Sequence, residues 1–505
     1  MADRRSAEAK PTLNKIIATV GPACESEEML AKLAEAGVSL FRLNFSHGSL
    51  DDHARNLQRL RRVEAQIERP IGVIGDLSGP KMRIREVSAD GIHVETGSDV
   101  AFERGEGPAR PGKPPVFTCT YARLIDEVEV GHKILINDGA VRMLAVGKEA
   151  ERLTCRVLVG GLVTSGKGIN LPNSDLSAPA LTEKDERCLD WAIEHGIDYV
   201  ALSFVRRAED ILLLKERIVR QACCQVDHSS PFSTHSAIPV SAKIERPEAI
   251  EHIDDIVEAA DGIMVARGDL GVEMDLAEVP VIQKRILQRC GYHGKPCIVA
   301  TQMLQTMIDS PIPTRAEASD VANAIYDGAD AVMLSGETAV GKYPQLAVET
   351  MSRIAQRTEE HRACIDVAES APGKAREAAD LTAAIAGGAW SIARDVRAEL
   401  VICWSQQGSS ARFLSQNSFH IPIIAFSNSI SALRRMALLR GVTPQRLAAP
   451  SDLATFITAA DEIVQEAGWA QAGDPVVFVM GEPLGIPGET DRLLVHRIGA
   501  PVRPC

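Results

Sequence analysis

The sequence predicts an α/β protein: a (β/α)8 barrel of the TIM type, with a small β-barrel domain inserted after strand three and a C-terminal α/β domain. Three observations predict this fold class. Eight short apolar runs recur between residues 15 and 335, a stretch rich in Gly and Pro interrupts them once, and the strand-and-helix pattern restarts after about residue 376.

The eight apolar runs are rich in β-branched residues, and most precede a helix-like stretch. They do not alternate polar with apolar residues, which is typical of parallel strands covered on both faces. Eight such strands with intervening helices indicate a (β/α)8 barrel. The runs are Lys15–Val20, Leu40–Phe45, Ile71–Asp76, Tyr199–Phe204, Pro239–Ile244, Gly262–Ala266, Cys297–Thr301 and Ala331–Ser335.

The long gap between the third and fourth runs predicts an inserted all-β domain over residues 80–178, placed at the mouth of the barrel where it can act as a lid. We therefore expect four parts along the chain. They are an N-terminal segment at 1–13, the barrel at 14–79 and 179–355, the lid at 80–178, and a regulatory α/β domain at 356–505.

The composition and net charge of the chain argue against nucleic-acid-binding and membrane-binding functions. The chain has 505 residues, 55 Lys and Arg against 68 Asp and Glu, and a net charge of −13, so neither nucleic acid nor a membrane surface is an expected partner. No run of about 18 apolar residues and no signal-peptide pattern is present. The 11 cysteines form no C-x-x-C motif, which favours reduced thiols and a cytoplasmic location.

Polar and charged residues follow nearly every predicted strand. Since the active sites of such barrels lie at the carboxyl ends of the strands, these side chains are expected to meet at one rim. The candidates are Arg42, Asn44, Ser46 and His47 after strand two, Asp76, Lys81 and Arg83 after strand three, Ser203 after strand four, Lys243 and Glu245 on strand five, Arg267 and Asp269 after strand six, Thr301 after strand seven, and Ser335 after strand eight.

Glu245 and Asp269 lie 24 residues apart, one βα unit, and so belong to adjacent strands. Two carboxylates with room for water and substrate oxygens suit Mg²⁺ or Mn²⁺. Basic groups around the same mouth, from Arg42, Arg83, Lys243 and Arg267, favour a phosphoryl or carboxylate ligand. Singly, Lys243 with Glu245 also fits a structural ion pair and Asp269 fits a helix cap, but the convergence of seven strand ends favours a site.

The segment Gly161–Gly168 nearly matches a phosphate-binding P-loop. The motif requires Ser or Thr where Gly168 stands, and no helix follows it, so it is not a P-loop. Lys167 within it remains a candidate point charge for a nucleotide phosphate.

Six motifs together resemble the pyruvate kinase family, from about Asn14 to Ile498. They are Leu43–Gly48, Ser241–Glu245, Gly262–Gly271, Ala300–Leu304, Pro313–Glu317 and Met333–Thr338, and Asn137–Gly139 and Pro483–Gly488 add to the resemblance. The resemblance implies an ATP:pyruvate phosphotransferase of glycolysis, which moves the phosphoryl group of phosphoenolpyruvate to ADP and gives ATP and an enolate that is protonated to pyruvate.

The resemblance also implies roles for the rim residues. Glu245 and Asp269 are expected to hold the divalent metal, while Lys243 and Arg42 contact the transferring phosphoryl group. The backbone of Ala266, Arg267, Gly268 and Asp269, with Thr301, holds the substrate carboxylate. Thr301 and Ser335 are candidates for the proton route to the enolate. The residues expected on the nucleotide side are Asn44, Ser46, His47, Arg83 and Lys167.

A monovalent cation is expected near Asp76, Asn44 and Ser46 in family members that need K⁺. Those members carry Glu where this chain has Lys81, and usually Thr at the positions of Leu77 and Ile84. The sequence therefore resembles the K⁺-independent branch, with the ammonium of Lys81 supplying the charge of the ion. The alternative is that Lys81 faces solvent at the hinge into the lid.

The segment 405–410 resembles the family's phosphate-binding effector loop, so Ser405, Gln407, Ser409 and Ser410 are candidate effector contacts. Ser409 stands where the family usually has Arg, which favours a sugar monophosphate or AMP over fructose 1,6-bisphosphate. The alternative is an ordinary strand-to-helix turn. The family also implies a homotetramer.

Two other functions remain open at this point. A metal-dependent lyase or aldolase that forms a pyruvate enolate on a similar barrel would not need the lid or Lys167. A non-catalytic homologue would have lost Lys243, Glu245 or Asp269, and all three are present. The polar loop 222–237, with its two His and two Cys, fits no standard metal site and is expected to be solvated.

Overall fold

The computed structural model describes residues 12–174, 176–177, 179–225, 237–364, 373–377, 380–417, 419–481, 484 and 490–501. Most of the predicted N-terminal segment 1–13 lies outside these residues, as does most of the motif at 483–488. Of the predicted polar loop at 222–237, the first four residues continue a helix and residues 226–236 lie outside the described part of the chain.

The chain begins with three strands and two helices of the barrel. Ser49 caps the second helix with a capping box, in which its hydroxyl accepts from the Asp52 N–H while the Asp52 carboxylate accepts from the Ser49 N–H. The elements are β1 (Lys15–Thr19), α1 (Glu27–Glu35), β2 (Val38–Asn44), α2 (Leu50–Gln66) and β3 (Gly72–Asp76).

The inserted segment is all-β apart from one four-residue helix. A seven-stranded sheet runs in the order β4-β12-β8-β9-β10-β6-β7, beside a two-stranded sheet of β11 and β5. A bridge between Ile84 and Cys119 joins the two edges of the larger sheet, as expected for a small barrel. The elements are β4 (Met82–Arg83), β5 (Ile92–Val94), β6 (Asp99–Glu103), β7 (Val116–Phe117), α3 (Leu124–Glu127), β8 (Lys133–Ile136), β9 (Val141–Lys148), β10 (Arg152–Val159), β11 (Gly161–Val163) and β12 (Gly168–Asn170).

The remaining elements of the barrel follow the insertion, with helices on the outside of the strands. They are α4 (Glu183–Glu194), β13 (Tyr199–Leu202), α5 (Ala208–Gln225), β14 (Val240–Ile244), α6 (Pro247–Glu251), α7 (Ile253–Ala259), β15 (Gly262–Ala266), α8 (Arg267–Glu273), α9 (Val279–His293), β16 (Cys297–Ala300), a 3₁₀ helix (Gln305–Ile308), α10 (Arg315–Tyr326), β17 (Ala331–Leu334), α11 (Gly336–Ala339) and α12 (Pro344–Cys364).

Eight parallel strands close the barrel in the order β1-β17-β16-β15-β14-β13-β3-β2. Seven of them are completely buried or nearly so, while β2 carries three half-buried residues, Arg42 and Asn44 among them. The apolar runs of the sequence therefore correspond to the eight strands, and the predicted fold class is confirmed. No helix among the described residues is long and apolar enough to cross a membrane.

The C-terminal domain is a five-stranded sheet in the order β20-β19-β18-β21-β22, parallel except for β22. The helix-like stretch Ala378–Asp395 and the apolar runs Leu400–Cys403, Ile421–Phe426 and Pro475–Met480 predict three of these strands and the helix before them, but not β20 or β22. The elements are α13 (Gly373–Glu377), α14 (Leu381–Asp395), β18 (Leu400–Trp404), α15 (Ser409–Ser415), β19 (Ile423–Ser427), α16 (Ile430–Met436), β20 (Val442–Arg446), α17 (Leu453–Glu466), β21 (Pro475–Met480) and β22 (Arg492–Arg497).

The C-terminal domain packs against the amino ends of the barrel strands. The Lys15 ammonium donates to the Val442 carbonyl at 2.7 Å, and the Tyr199 hydroxyl donates to the Arg435 carbonyl at 2.9 Å. The Gln416 amide donates to the Asp330 carboxylate at 3.1 Å. The carboxyl ends of the strands, where the candidate residues lie, are thus at the opposite end of the barrel.

Asp330 makes this junction sensitive to pH. Burial raises the pKa of Asp330 to about 6, against the opposing effect of its bond from the Cys297 N–H. Because the pKa is raised on folding, Asp330 stabilises the fold fully only below its ordinary pKa near 4, and that stability is lost as pH rises through 6. Lowering pH from 7.5 to 5 should stabilise the wild type relative to Asp330→Asn by on the order of 1 kcal/mol.

Calorimetric melting of the two proteins across this pH range measures the effect. Since the other titrating groups are common to both, their contributions cancel in the difference. A difference in melting temperature that is constant from pH 5 to 7.5 would contradict the assignment.

Candidate active site

The rim at the carboxyl ends of the barrel strands is organised around a buried ammonium group. Lys243 on β14 donates to the Ser203 hydroxyl at 2.7 Å and pairs with Glu245 at 2.9 Å and Asp76 at 3.3 Å. Burial alone would lower the pKa of Lys243, but Asp76 and Glu245 together outweigh this effect and raise the pKa above its ordinary value. The side chain is therefore a fixed positive charge at neutral pH.

Asp76 joins a second cation to this centre. Its other oxygen accepts from Nε of Arg42 at 2.6 Å, and Arg42 also donates to the Thr19 hydroxyl at 3.2 Å. Burial would raise the pKa of Asp76, yet Lys243 and Arg42 lower it below the ordinary value. One buried carboxylate, 1% exposed, thus fixes the positions of both cations that the sequence assigns to the phosphoryl group.

Glu245 and Asp269 form the acidic side of the rim. Glu245 is 1% exposed and accepts from the Phe204 N–H at 2.7 Å. Burial raises the pKa of Glu245; Lys243 opposes the rise and the nearby charge of Asp269 adds to it. Asp269 lies in the first turn of α8 with its side chain 27% exposed.

This donor set fits a hard divalent cation. Two carboxylates repel each other across the rim, and a cation between them would relieve that repulsion. No cluster of three or more His, Cys, Asp or Glu that could hold a metal occurs in the described part of the chain. Mg²⁺ commonly binds through one or two carboxylates plus water and substrate oxygens, which matches a pair of ligands better than a closed protein cage.

The turn after β15 approaches the loop after β16 closely. The Gly268 N–H donates to the Thr301 hydroxyl at 2.7 Å, and a Cβ on Gly268 would lie 3.3 Å from that oxygen. Thr301 and Gln302 both adopt positive φ, 68° and 56°, which is rare for β-branched and other non-Gly residues. Strain of this kind is concentrated at functional sites, where the surroundings enforce it.

Arg267 differs from the expectation that its side chain faces the mouth. Its guanidinium donates to Asp320 of α10 at 2.7 Å and to the Thr301 carbonyl at 3.0 Å. These bonds hold the strained loop against α10. The backbone of Arg267, rather than its side chain, remains available for the predicted contact with a substrate carboxylate.

Ser335 and Thr301 differ in their hydrogen bonding. The Thr301 hydroxyl donates to the Ala300 carbonyl at 2.6 Å and accepts from Gly268, so both of its roles are filled within the protein. The Ser335 hydroxyl is buried and has no hydrogen-bond partner among the described residues. Ser335 is therefore the freer of the two predicted proton-route groups.

The predicted nucleotide-binding residues lie on the loop after β2 and at the edge of the inserted domain. The Asn44 side chain accepts from the Ser46 N–H at 3.1 Å, and His53 of α2 contacts the His47 carbonyl at 3.0 Å. Partial burial lowers the pKa of His47, and the charge of Arg83 lowers it further.

The remaining two groups belong to the inserted domain. Arg83 donates to the Gly166 carbonyl at 2.9 Å, next to Lys167, which is half-buried.

Lys81 lies at the hinge into the inserted domain. Its ammonium is 3.7 Å from the Asp269 carboxylate and 31% exposed. Asp76, which the sequence places at the monovalent-cation position, instead takes its ion pairs from Arg42 and Lys243. Lys81 therefore adds its charge on the Asp269 side of the rim.

Ser203, a candidate from its position at a strand end, bridges Lys243 to the Leu77 carbonyl. Sequence reasoning missed two groups that support this centre: the Phe204 N–H, which binds Glu245, and the Thr19 hydroxyl, which binds Arg42. Nothing in the sequence marks Phe204, whose φ of 56° directs its N–H to the carboxylate.

The predicted effector loop lies between β18 and α15. The Ser410 hydroxyl bonds to that of Thr490 at 2.7 Å, and the Ser405 hydroxyl is buried near the Ala411 N–H. Gln407 and Ser409 are exposed. Two of the four predicted contacts are thus occupied within the domain, and two are open.

Comparisons with known proteins identify the class. A (β/α)8 barrel with a lysine held among carboxylates at its carboxyl rim is the framework of an enzyme. The model "Pyruvate kinase, barrel domain" matches residues 12–348, and "Pyruvate kinase, alpha/beta domain" matches residues 383–496.

Relatives and a solved structure agree with these matches. A pyruvate kinase from Mycobacterium intracellulare is 39% identical over 96% of this chain and 98% of its own. One from Geobacillus stearothermophilus is 39% identical over 96% of this chain and 80% of its own. The crystal structure of a pyruvate kinase from Cryptosporidium parvum is 31% identical, covers 96% of both chains and has a TM-score of 0.86.

The chain belongs to the pyruvate kinase family, and it is a phosphotransferase. This confirms the main interpretation of the sequence over a lyase, an aldolase or a non-catalytic homologue. The matches cover the inserted and C-terminal domains as well as the barrel.

The carboxylate of Asp76, which pairs with both Arg42 and Lys243, should raise the free energy of unfolding. Asp76→Asn leaves Arg42 and Lys243 buried with less compensation, so we expect a loss of about 3 kcal/mol, or roughly 6–12 °C in melting temperature. Calorimetry measures it, with Asp99→Asn as the control. Asp99 pairs with Arg156 on the exposed face of the inserted domain and should cost about 1 kcal/mol or less. Equal losses in the two variants would contradict the role of Asp76.

Proposed function

We propose that this rim transfers the phosphoryl group of phosphoenolpyruvate to ADP, giving pyruvate and ATP. The observation that carries the proposal is the Lys243 ammonium, fixed by Ser203, Glu245 and Asp76. Phosphoryl transfer depends on positioning and on positive charge where the transition state is most anionic. A lysine held by three partners needs no reorganisation during the reaction.

Glu245 and Asp269 would hold Mg²⁺ or Mn²⁺. When bound there, the cation supplies charge for phosphoryl and carboxylate oxygens of the substrate. Burial, with the nearby charge of Asp269, raises the pKa of Glu245; this supports the role, because a bound cation would stabilise both ionised carboxylates.

Lys243 and Arg42 would bind the transferring phosphoryl group through their positive charges. Asp76 orients both cations, and its two oxygens accept one ion pair from each. Removing Asp76 would therefore disturb both groups together. The backbone of residues 266–269, with Thr301, would hold the substrate carboxylate.

Ser335 would pass a proton to the enolate carbon. Its buried hydroxyl lacks a partner among the described residues, whereas Thr301 is already bonded on both sides. Thr301 would then position the carboxylate loop, with a lesser part in proton transfer.

Asn44, Ser46, His47, Arg83 and Lys167 would bind the nucleotide. Arg83 and Lys167 belong to the inserted domain, so closing it over the mouth would bring positive charge to the phosphates. Closure would also exclude water, which competes with ADP for the phosphoryl group.

A coupled assay of pyruvate formation tests the proposal. Phosphoenolpyruvate and ADP with Mg²⁺ should give pyruvate and ATP in equal amounts, and chelating the divalent cation should abolish turnover. Pyruvate formed without ATP would contradict a phosphotransferase.

Replacing the fixed charge gives a sharper result. Lys243→Met should lower kcat by about 10²–10³-fold or more and leave the circular dichroism spectrum unchanged. Lys284→Met is the control, because Lys284 pairs with Asp327 on the outer helices and should keep wild-type turnover. A Lys243→Met protein with more than about a tenth of wild-type kcat would refute the assigned role.

Lys81 would replace a bound K⁺ in this chain. Its pairing with Asp269, rather than a purely solvent-facing position, supports a charge held at the rim. With Mg²⁺ and tetramethylammonium as the only monovalent cation, we expect near-full activity, measured by the same assay. Lys81→Glu should then create a K⁺ requirement. Wild-type activity that collapses without K⁺ would contradict the substitution.

A sugar monophosphate or AMP would act through the loop at 405–410, where Gln407 and Ser409 are open. The assembly would be a homotetramer and the location cytoplasmic, as in the family. The eight cysteines whose side chains the structure describes are free thiols, which is consistent with that location.

A further inference from the structure

Two connections join the inserted domain to the barrel, and both contact the elements that carry the predicted metal ligands. The incoming connection runs from β3 to β4, and the outgoing connection leaves through β12. These two short strands pair with each other in antiparallel orientation, and all three residues of β12 are buried. The position of β12 is therefore set at the point where the chain passes between the two domains.

Asn170, at the end of β12, binds the helix that carries Asp269. Its side-chain amide donates to the Glu273 carboxylate at 2.8 Å, and the two residues are 6% and 7% exposed. Glu273 is the last residue of α8, four residues after Asp269, so one helical turn separates the two carboxylates. In a helix of seven residues, fixing the last residue restricts the first turn as well.

Arg246 makes a second contact between the end of β12 and the acidic side of the rim. It follows Glu245 directly, and its guanidinium donates to the Leu171 carbonyl at 3.4 Å. Burial raises the pKa of Glu273, and the charge of Arg246 opposes that rise. The guanidinium therefore also compensates the carboxylate that Asn170 binds. A neighbour of each predicted metal ligand is thus tied to the end of β12.

Lys81 provides the corresponding contact on the incoming connection. Its ammonium is 3.7 Å from the Asp269 carboxylate. Its Cε would lie 3.3 Å from a Cβ on Gly168, so the glycine gives the lysine room to cross β12 and reach α8. A cavity of about 30 Å³ is lined by Lys81 together with Asn170 and Glu273, which places the contacts of both connections side by side.

The same pair of strands carries positive charges predicted for the nucleotide. Lys167 comes immediately before β12, and Arg83 of β4 pairs with Gly168. Because β12 has only three residues, a displacement of Asn170 at one end would move Lys167 at the other. The hydrogen bond between Asn170 and Glu273 therefore links the nucleotide side of the rim to the metal side.

We propose that Asn170 and Glu273 are positioning residues for phosphoryl transfer. Their hydrogen bond holds Asp269 in place for the divalent cation and holds β12 in place for the nucleotide. The inference rests on the proposed function, since it takes Asp269 as a metal ligand, and it adds two residues that act through their neighbours rather than on the substrates.

Binding of Mn²⁺ to the full chain without substrates tests the metal side, measured by the electron paramagnetic resonance signal of the free ion. Asn170→Ala removes the hydrogen bond without changing any charge near the ion. We expect the Kd for Mn²⁺ to rise about three- to tenfold, less than when a group bonded directly to a metal ligand is lost. Asn173→Ala is the control and should keep the wild-type Kd. Asn173 lies on the same connection, is exposed, and accepts from the Lys133 N–H within the inserted domain.

Two substitutions of Glu273 separate the hydrogen bond from the charge. Glu273→Gln and Glu273→Ala both remove the negative charge, but only glutamine keeps an oxygen that accepts from Asn170. We expect Glu273→Ala to bind Mn²⁺ about three- to tenfold more weakly than Glu273→Gln. The difference should disappear in the Asn170→Ala background, because the hydrogen bond is then already lost.

Steady-state kinetics at saturating Mg²⁺ test the nucleotide side. In Asn170→Ala the KM for ADP should rise about fivefold or more, because Lys167 and Arg83 are less well positioned. The KM for phosphoenolpyruvate should change by less than about twofold, because Asp76 holds the cations of the phosphoryl site independently of β12. A merely structural defect would raise both constants alike.

Three results would overturn the inference. They are an Asn170→Ala protein that binds Mn²⁺ as tightly as the Asn173→Ala control, equal Mn²⁺ affinity of Glu273→Ala and Glu273→Gln, and equal increases in the KM for ADP and for phosphoenolpyruvate. Each of them leaves wild-type turnover, and with it the proposed function, intact. A wild type that binds no Mn²⁺ would instead overturn the proposed function together with this inference.

Discussion

The rim depends on one constraint, that the buried ammonium of Lys243 must be compensated before any substrate arrives. Asp76, Glu245 and the Ser203 hydroxyl provide this compensation at 3.3, 2.9 and 2.7 Å. Each of the three groups also makes a second interaction. Asp76 accepts from Arg42, the Ser203 hydroxyl donates to the Leu77 carbonyl, and Glu245 lies near the charge of Asp269. Because every member is shared, the cationic and acidic halves of the site are positioned by the same side chains. Such a network is rigid when every member is present, and the loss of one member lowers the stability of the fold because its partners stay buried and unpaired.

Backbone strain complements this network of charges. Phe204, Thr301 and Gln302 adopt positive φ directly after their strands, and each turn aims a polar group at the rim or at its supports. Arg267 and Asp320 hold the Thr301 loop in place. The buried barrel strands below provide the stiffness that makes such conformations tolerable. The packed apolar strands of the barrel therefore hold the strained turns, and the polar groups that they carry, in fixed positions at the rim.

The sequence predicted the barrel because fully buried parallel strands produce continuous apolar runs, and seven of these eight strands are buried almost throughout. It missed β20 and β22, since Pro444 interrupts the first and the second has only three consecutive apolar residues, Leu493–Val495, between Arg492 and His496. The strand-end rule brought Lys243, Glu245 and Asp76 together correctly.

Contacts far apart in the chain could not be predicted. The pairing of Arg267 with Asp320, the bond between Ser410 and Thr490, and the position of Lys81 beside Asp269 depend on three-dimensional packing that no local pattern encodes. For Arg267 the strand-end rule gave a wrong orientation. The rule predicts that a charged side chain at a strand end faces the mouth of the barrel, but the Arg267 side chain supports the Thr301 loop instead.

Helix α2 connects the rim of the barrel to the C-terminal domain. Helix α2 begins directly after the loop that carries Ser46 and His47, and its 17 residues span about 25 Å. Near its far end, Glu64 binds Arg434 of α16 through both carboxylate oxygens, at 2.9 and 3.1 Å from Nε. Because breaking a largely buried ion pair is strongly unfavourable, this bond couples the position of α2 to that of the C-terminal domain. The same helix begins at the loop after β2, so its two ends contact the rim and the C-terminal domain.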